Sequence, residues 1–92
     1  MEKAKNLPTV CPSCHGQLHV AGLHCPECGT RIEGDYRLPT VLQLPTDDQR
    51  FVMDFILCSG SLKEMATRMN LSYPTVRNRL DEIIEKLKLY EA

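Results

Sequence analysis

Two C-P-x-C units, Cys11-Pro-Ser-Cys14 and Cys25-Pro-Glu-Cys28, lie ten residues apart near the start of a 92-residue chain. That spacing limits the possible folds more than any other feature. Two cysteines separated by two residues fit a tight turn whose backbone N–H groups point at sulfur. Each proline fixes its turn. The nearby glycine, Gly16 or Gly29, is expected to supply a left-handed residue just after the second cysteine.

Two such knuckles can bring four thiolates tetrahedrally onto one ion, which is the zinc ribbon pattern. Cys11, Cys14, Cys25 and Cys28 are therefore the expected ligands of a structural Zn²⁺. The QLHV-AG-LH stretch between the pairs reads as a short hairpin with Leu18 and Val20 on one face, and RIE as a third strand. Four sulfurs leave no open position, so the metal supports folding rather than catalysis. Rubredoxin-like iron is the rival, but its knuckles lie farther apart and its core is rich in aromatics; here Trp is absent and both Phe lie outside the module. His15, His19 and His24 fall outside a complete shell. A paired-cysteine metal site fits a reducing compartment better than a disulfide scaffold does. MEKAKNLPTV has charges but no apolar signal-peptide run, so the expected location is cytoplasmic.

Size and charge narrow the function. A chain this short cannot bury the walls of a deep enzyme cleft unaided. It has no Ser/His/Asp grouping, phosphate loop or plausible carboxylate pair, and is not expected to be an enzyme or to take a small-molecule substrate. FVMDFILC, the longest mostly apolar stretch, is broken by Asp54 and falls far short of the ~20 residues of a membrane span. The net charge is −1, yet residues 68–80 hold Arg68, Arg77 and Arg79 and no acid. The chain is locally basic inside a neutral whole.

Residues 46–92 read as three helices. The first is expected to begin with Thr46 as N-cap in a T-x-x-Q capping box with Gln49, with Asp47 and Asp48 in its first turn. Phe51, Val52, Phe55 and Ile56 share its apolar face, and Ser59-Gly60 ends it. The second starts at Ser61, boxed with Glu64, and buries Leu62, Met65, Ala66 and Met69 before a left-handed Asn70. The third has Ser72 as N-cap and Pro74 in its first turn. It buries Val76, Leu80, Ile83, Ile84 and Leu87.

A small residue (Ala66), a turn residue able to take positive φ (Asn70), a plug (Leu71) and a wedge (Val76) are what two helices crossing through a tight turn require. TDDQRFVMDFILCSGSLKEMATRMNLSYPTVRNRL resembles region 4 of bacterial sigma factors and the LuxR-type DNA-binding domains, above all from Ser72 to Leu80. The whole chain resembles an uncharacterised family of small bacterial proteins, a domain of unknown function with a zinc ribbon before a helix-turn-helix. The resemblance implies a two-module architecture and a regulatory role.

The expected fold is small α+β: a four-cysteine zinc ribbon of short antiparallel strands over residues 1–35, an extended linker over 36–45, and a three-helix helix-turn-helix domain over 46–92. In such a domain the start of the third helix enters the major groove of double-stranded DNA. Arg77 suits guanine and Asn78 adenine; Ser72, Tyr73 and Thr75 reach phosphates or base edges, and Arg68 the backbone. The plainer readings are that Thr75 stabilises the first turn and that Arg79 lies along the apolar face beside Asp81 or Glu82. Few cations imply weak, salt-sensitive binding. A homodimer would remedy this, because Ile83, Ile84, Leu87, Leu89 and Tyr90 exceed what the core needs; the alternative is that they pack on segment 36–45. The rival function is an adaptor that docks on a sigma factor, RNA polymerase or another transcription protein without reading DNA bases itself. Cys58 reads as a small buried apolar residue, with no basic neighbour in sequence to make it a redox thiol.

Overall fold

The structure, a computed structural model, describes residues 6–91. Met1–Lys5, which carry Glu2, Lys3 and Lys5 of the charge balance, and Ala92 lie outside the described residues. Two strands, β1 (Val20–His24) and β2 (Arg31–Tyr36), are followed by a short 3₁₀ turn (Thr40–Gln43) and three helices, α1 (Thr46–Leu57), α2 (Leu62–Met69) and α3 (Tyr73–Glu91).

The strands form one antiparallel hairpin with Leu23 opposite Ile32 and His24 opposite Arg31. Ala21-Gly22 is therefore strand interior and not the turn expected from the sequence. The register slips between Val20 and Gly22, where Gly34 and Asp35 of β2 face Ala21 alone, a bulge. An isolated bridge joins Val10 to Gln17 ahead of the hairpin. The hairpin has no apolar interior: every residue of β2 and all but Val20 of β1 are exposed.

The core lies in the C-terminal half. Leu44, Phe51, Cys58, Leu62, Met65, Ala66, Val76 and Ile83 are buried together, with Val52, Phe55, Met69, Leu80, Leu87 and Tyr90 packed round them. Two expected core residues lie outside it: Ile56 is 65% exposed and Ile84 36%. Segment 36–45 is no simple extended linker. Strand β2 runs to Tyr36, residues 40–43 turn in 3₁₀ fashion against α3, and Leu38 and Leu44 are buried. Gln43, also buried, donates from Nε2 to the Leu38 carbonyl at 2.8 Å. Thr9 ties the ribbon to this segment by donating from Oγ1 to the Leu44 carbonyl at 3.4 Å.

Helix α1 starts differently from expectation. Pro45 holds the N-cap position and Thr46 is already helical, so no T-x-x-Q box forms. Gln49 instead turns back and donates from Nε2 to the carbonyls of Leu42 and Leu44, at 3.2 and 2.8 Å. Asp48 is buried, and two cations of α3 answer it: Arg79 Nη2 is 3.1 Å from Oδ1 and Lys86 Nζ 2.6 Å from Oδ2. Residues 79 and 86 are two turns apart on one stripe of α3, so both reach one carboxylate. Arg79 also lies over the Phe51 ring, 5.5 Å from its centroid. It pairs with neither Asp81 nor Glu82.

Removing a buried partner leaves charges uncompensated, but these two cations are 37% and 42% exposed and recover much of their hydration. Asp48→Ala is accordingly expected to cost about 1–3 kcal/mol in urea unfolding. A cost within a few tenths of a kcal/mol would show that the triad is not stabilising.

Candidate metal centre and nucleic-acid interface

The two knuckles repeat one turn. Cys11 N donates to the Gly16 carbonyl and His15 N to the Cys11 carbonyl, at 2.8 and 2.9 Å; Cys25 N donates to Thr30 and Gly29 N to Cys25, both at 2.8 Å. The left-handed residue is the one directly after the second cysteine, His15 (φ 63°) in one knuckle and Gly29 (φ 80°) in the other. Gly16 therefore does not play the part expected of it. Its N–H lies 3.4 Å from Cys14 Sγ, and an added Cβ would stand 3.3 Å from that sulfur. The equivalent residue of the second knuckle, Thr30, brings its hydroxyl within 3.0 Å of Cys28 Sγ.

These donors favour thiolate. The Cys11 thiol is held below its ordinary value by the backbone N–H groups of Cys14 and Ser13, and the Cys28 thiol by the Thr30 side chain and then its N–H. Across the pairs the thiols are not gathered: among the described residues, no three His, Cys, Asp or Glu side chains come close enough to hold one ion. All five cysteines are free thiols. The donor set, soft sulfurs supported by N–H and O–H groups, still suits zinc. His19 is engaged elsewhere, with Nδ1 2.7 Å from Asp35 Oδ1.

In the C-terminal half the helix-turn-helix geometry is complete. Ser61 Oγ accepts from Glu64 N at 3.1 Å and starts α2. Asn70 ends it in the left-handed region, φ 56° and ψ 44°. Leu71 N bonds the Ala66 carbonyl and Asn70 N that of Thr67, a Schellman arrangement. Leu71 does not plug the turn, being 45% exposed; its backbone does the closing. Ser72 Oγ accepts from Thr75 N at 3.3 Å and meets the Thr75 hydroxyl at 2.7 Å, so both residues cap α3.

Val76 and Ile83 are buried, which leaves Ser72, Tyr73, Thr75, Arg77 and Asn78 exposed at the start of α3. No acid lies in the first turn, so the positive end of the helix dipole is uncovered. Arg77 Nε lies 3.4 Å from Asp81 Oδ1. The sequence places Arg79 in the basic patch, but the Asp48 pairing removes it. Arg68 leans the other way: its Nη1 donates to Cys58 Sγ at 3.2 Å. Cys58 is buried as expected, yet it has a basic neighbour that sequence distance hides.

Two family models match the chain. One, described as the DUF2089 zinc ribbon, covers residues 11–41. The other, described as domain of unknown function (DUF2089)-HTH, covers residues 44–90, more than half of the chain. The chain belongs to the DUF2089 family. No curated protein and no solved structure matches it. The two DUF2089 regions meet between residues 41 and 44, where the 3₁₀ turn delivers Leu44 to the core. No helix among the described residues is long and apolar enough to cross a membrane.

The turn between α2 and α3 depends on a side chain that accepts positive φ. Asn70→Gly is expected to leave the melting temperature nearly unchanged, whereas Asn70→Val is expected to cost about 1–2 kcal/mol. Equal stability of the two variants would contradict the left-handed assignment.

Proposed function

We propose that this chain is a cytoplasmic, non-enzymatic transcriptional regulator that reads double-stranded DNA through the start of α3. The observation that carries the reading is the exposed, acid-free beginning of that helix. Arg77 and Asn78 project from its first turns, and Ser72, Tyr73 and Thr75 border them. Arg and Asn are the side chains best shaped for guanine and adenine edges, and a helix N-terminus attracts phosphate. Further along, Asp81, Glu82 and Glu85 are exposed. The helix therefore has to enter the groove by its first turns, since deeper contact would set these acids against phosphates.

Arg79 is held by Asp48 and Arg68 by Cys58, so one module offers few free cations to phosphate and its salt slope is shallow. A second copy along the exposed Ile84 and Leu89 of α3 would double the footprint. Alanine at both Arg77 and Asn78 is expected to abolish sequence preference in a selection from random duplex DNA. A palindromic motif would mark the dimer. No enrichment by the unsubstituted chain at low or physiological salt would overturn the DNA reading.

In this reading Cys11, Cys14, Cys25 and Cys28 hold one structural Zn²⁺. The exposed hairpin supports it, because strands with no apolar interior need a crosslink to be stable. The ion supplies that crosslink and no chemistry. Native mass spectrometry is expected to find one zinc per chain and none in Cys11→Ser/Cys28→Ser, with the helical circular dichroism retained because the core lies elsewhere. Full metal occupancy in that variant would refute the assignment.

One observation favours a second reading, an adaptor that docks on a sigma factor, RNA polymerase or another transcription protein. Helix α1 presents Met53, Ile56 and Leu57 outward, 51%, 65% and 61% exposed, at helical spacing. Such an adaptor reads no bases itself: acidic substitutions there would abolish binding to the partner protein, and the chain would select no DNA sequence.

A further inference from the structure

The Arg77–Asp81 pair adds a second residue to the reading site. We infer that Asp81 is a positioning residue that aims Arg77 at guanine and thereby exchanges general DNA affinity for base selectivity; the inference rests on the DNA-reading proposal above.

The geometry supports this directly. The two residues are one turn apart on α3, so Asp81 stands behind Arg77 relative to the helix start. The nearest approach is between Arg77 Nε and Asp81 Oδ1, 3.4 Å apart, an ion pair with no hydrogen bond. A guanidinium has one N–H on Nε and two on each terminal nitrogen. A carboxylate on the Nε side leaves the two terminal nitrogens for guanine O6 and N7. About half of each side chain is exposed, so the contact does not bury the arginine away from a ligand. Arginine is otherwise a flexible side chain, and holding its fork reduces the freedom lost on binding.

The neighbouring ion pairs show that this pairing is particular. Arg79 is drawn to the buried Asp48, and Lys88 lies 3.4 Å from Glu85 on the far side of the reading end. Asp81 is thus the carboxylate that faces the cation assigned to base contact. A carboxylate there opposes phosphate and weakens binding to DNA in general. Its place beside Arg77 makes physical sense if it gains discrimination.

The test compares Asp81→Asn with Glu85→Gln, which removes an acid one turn further along α3. The zinc-loaded full chain and both variants are taken through selection from random duplex DNA, followed by titration of the selected duplex and its guanine-to-adenine variant. Asp81→Asn is expected to bind random duplex more tightly and to lose about tenfold of its guanine preference at the Arg77 position. Glu85→Gln is expected to gain affinity without losing preference, and Asp81→Glu, which keeps the carboxylate, to retain most of it. If Arg77→Ala loses the preference and Asp81→Asn does not, the positioning role is overturned and the DNA reading stands. If the unsubstituted chain selects no sequence, both are overturned.

Discussion

A carboxylate taken out of water at the start of α1 has to be answered by positive charge, and both answers come from α3. Asp48 holds Arg79 and Lys86, and Arg79 covers Phe51. The pairing ties the start of α1 to the middle of α3, which otherwise packs on α2 and the 3₁₀ turn. It also separates the arginines of the basic stretch. Arg79 becomes part of the scaffold, Arg68 turns to the Cys58 sulfur, and Arg77 alone is left at the exposed end of α3 with a carboxylate behind it. The small formal charge of the chain conceals this division of labour.

The ribbon is built on the opposite principle. Its strands have almost nothing apolar to bury, and its order comes from the β1–β2 ladder, from hydrogen bonds within the knuckles and from the Thr9–Leu44 tie. The two turns repeat one backbone pattern with different residues. Histidine takes positive φ in one and glycine in the other; a glycine approaches one sulfur and a threonine hydroxyl another. The module is therefore a hairpin between sulfur-facing turns with no apolar core, while the helical half has a core of its own.

Much of this was legible in the sequence because local rules decided it. The C-P-x-C spacing announced the knuckles, and Ser61, Asn70 and Ser72 marked the ends of α2 and α3 through capping chemistry that acts within a few residues. What was not legible depended on partners distant in the chain. Asp48 read as a dipole-favoured acid, since nothing local indicates cations 31 and 38 residues away. Arg79 read as part of a basic patch, and Cys58 as lacking a basic neighbour, for the same reason. The Thr46 cap failed because Pro45 already occupied the capping position and Gln49 had carbonyls of the connector to satisfy. The Ala21-Gly22 turn failed because the second knuckle itself turns the chain, leaving those residues to pair with β2.

Leu44 ends the connector and is fully buried in the helical core, one residue before the proline that opens α1. The connector therefore has slack only ahead of Leu38, because Leu38, Gln43 and the 3₁₀ turn against α3 are themselves seated. A residue inserted ahead of Leu38 would move the ribbon and leave the helices seated. A residue inserted between Leu44 and Asp48 would turn the rest of α1 by about 100° relative to its anchor. The buried carboxylate would then face solvent and the two cations of α3 would face none. Changes in length should accumulate on the ribbon side of Leu38, and the four residues after Leu44 should keep their number even where their identities drift.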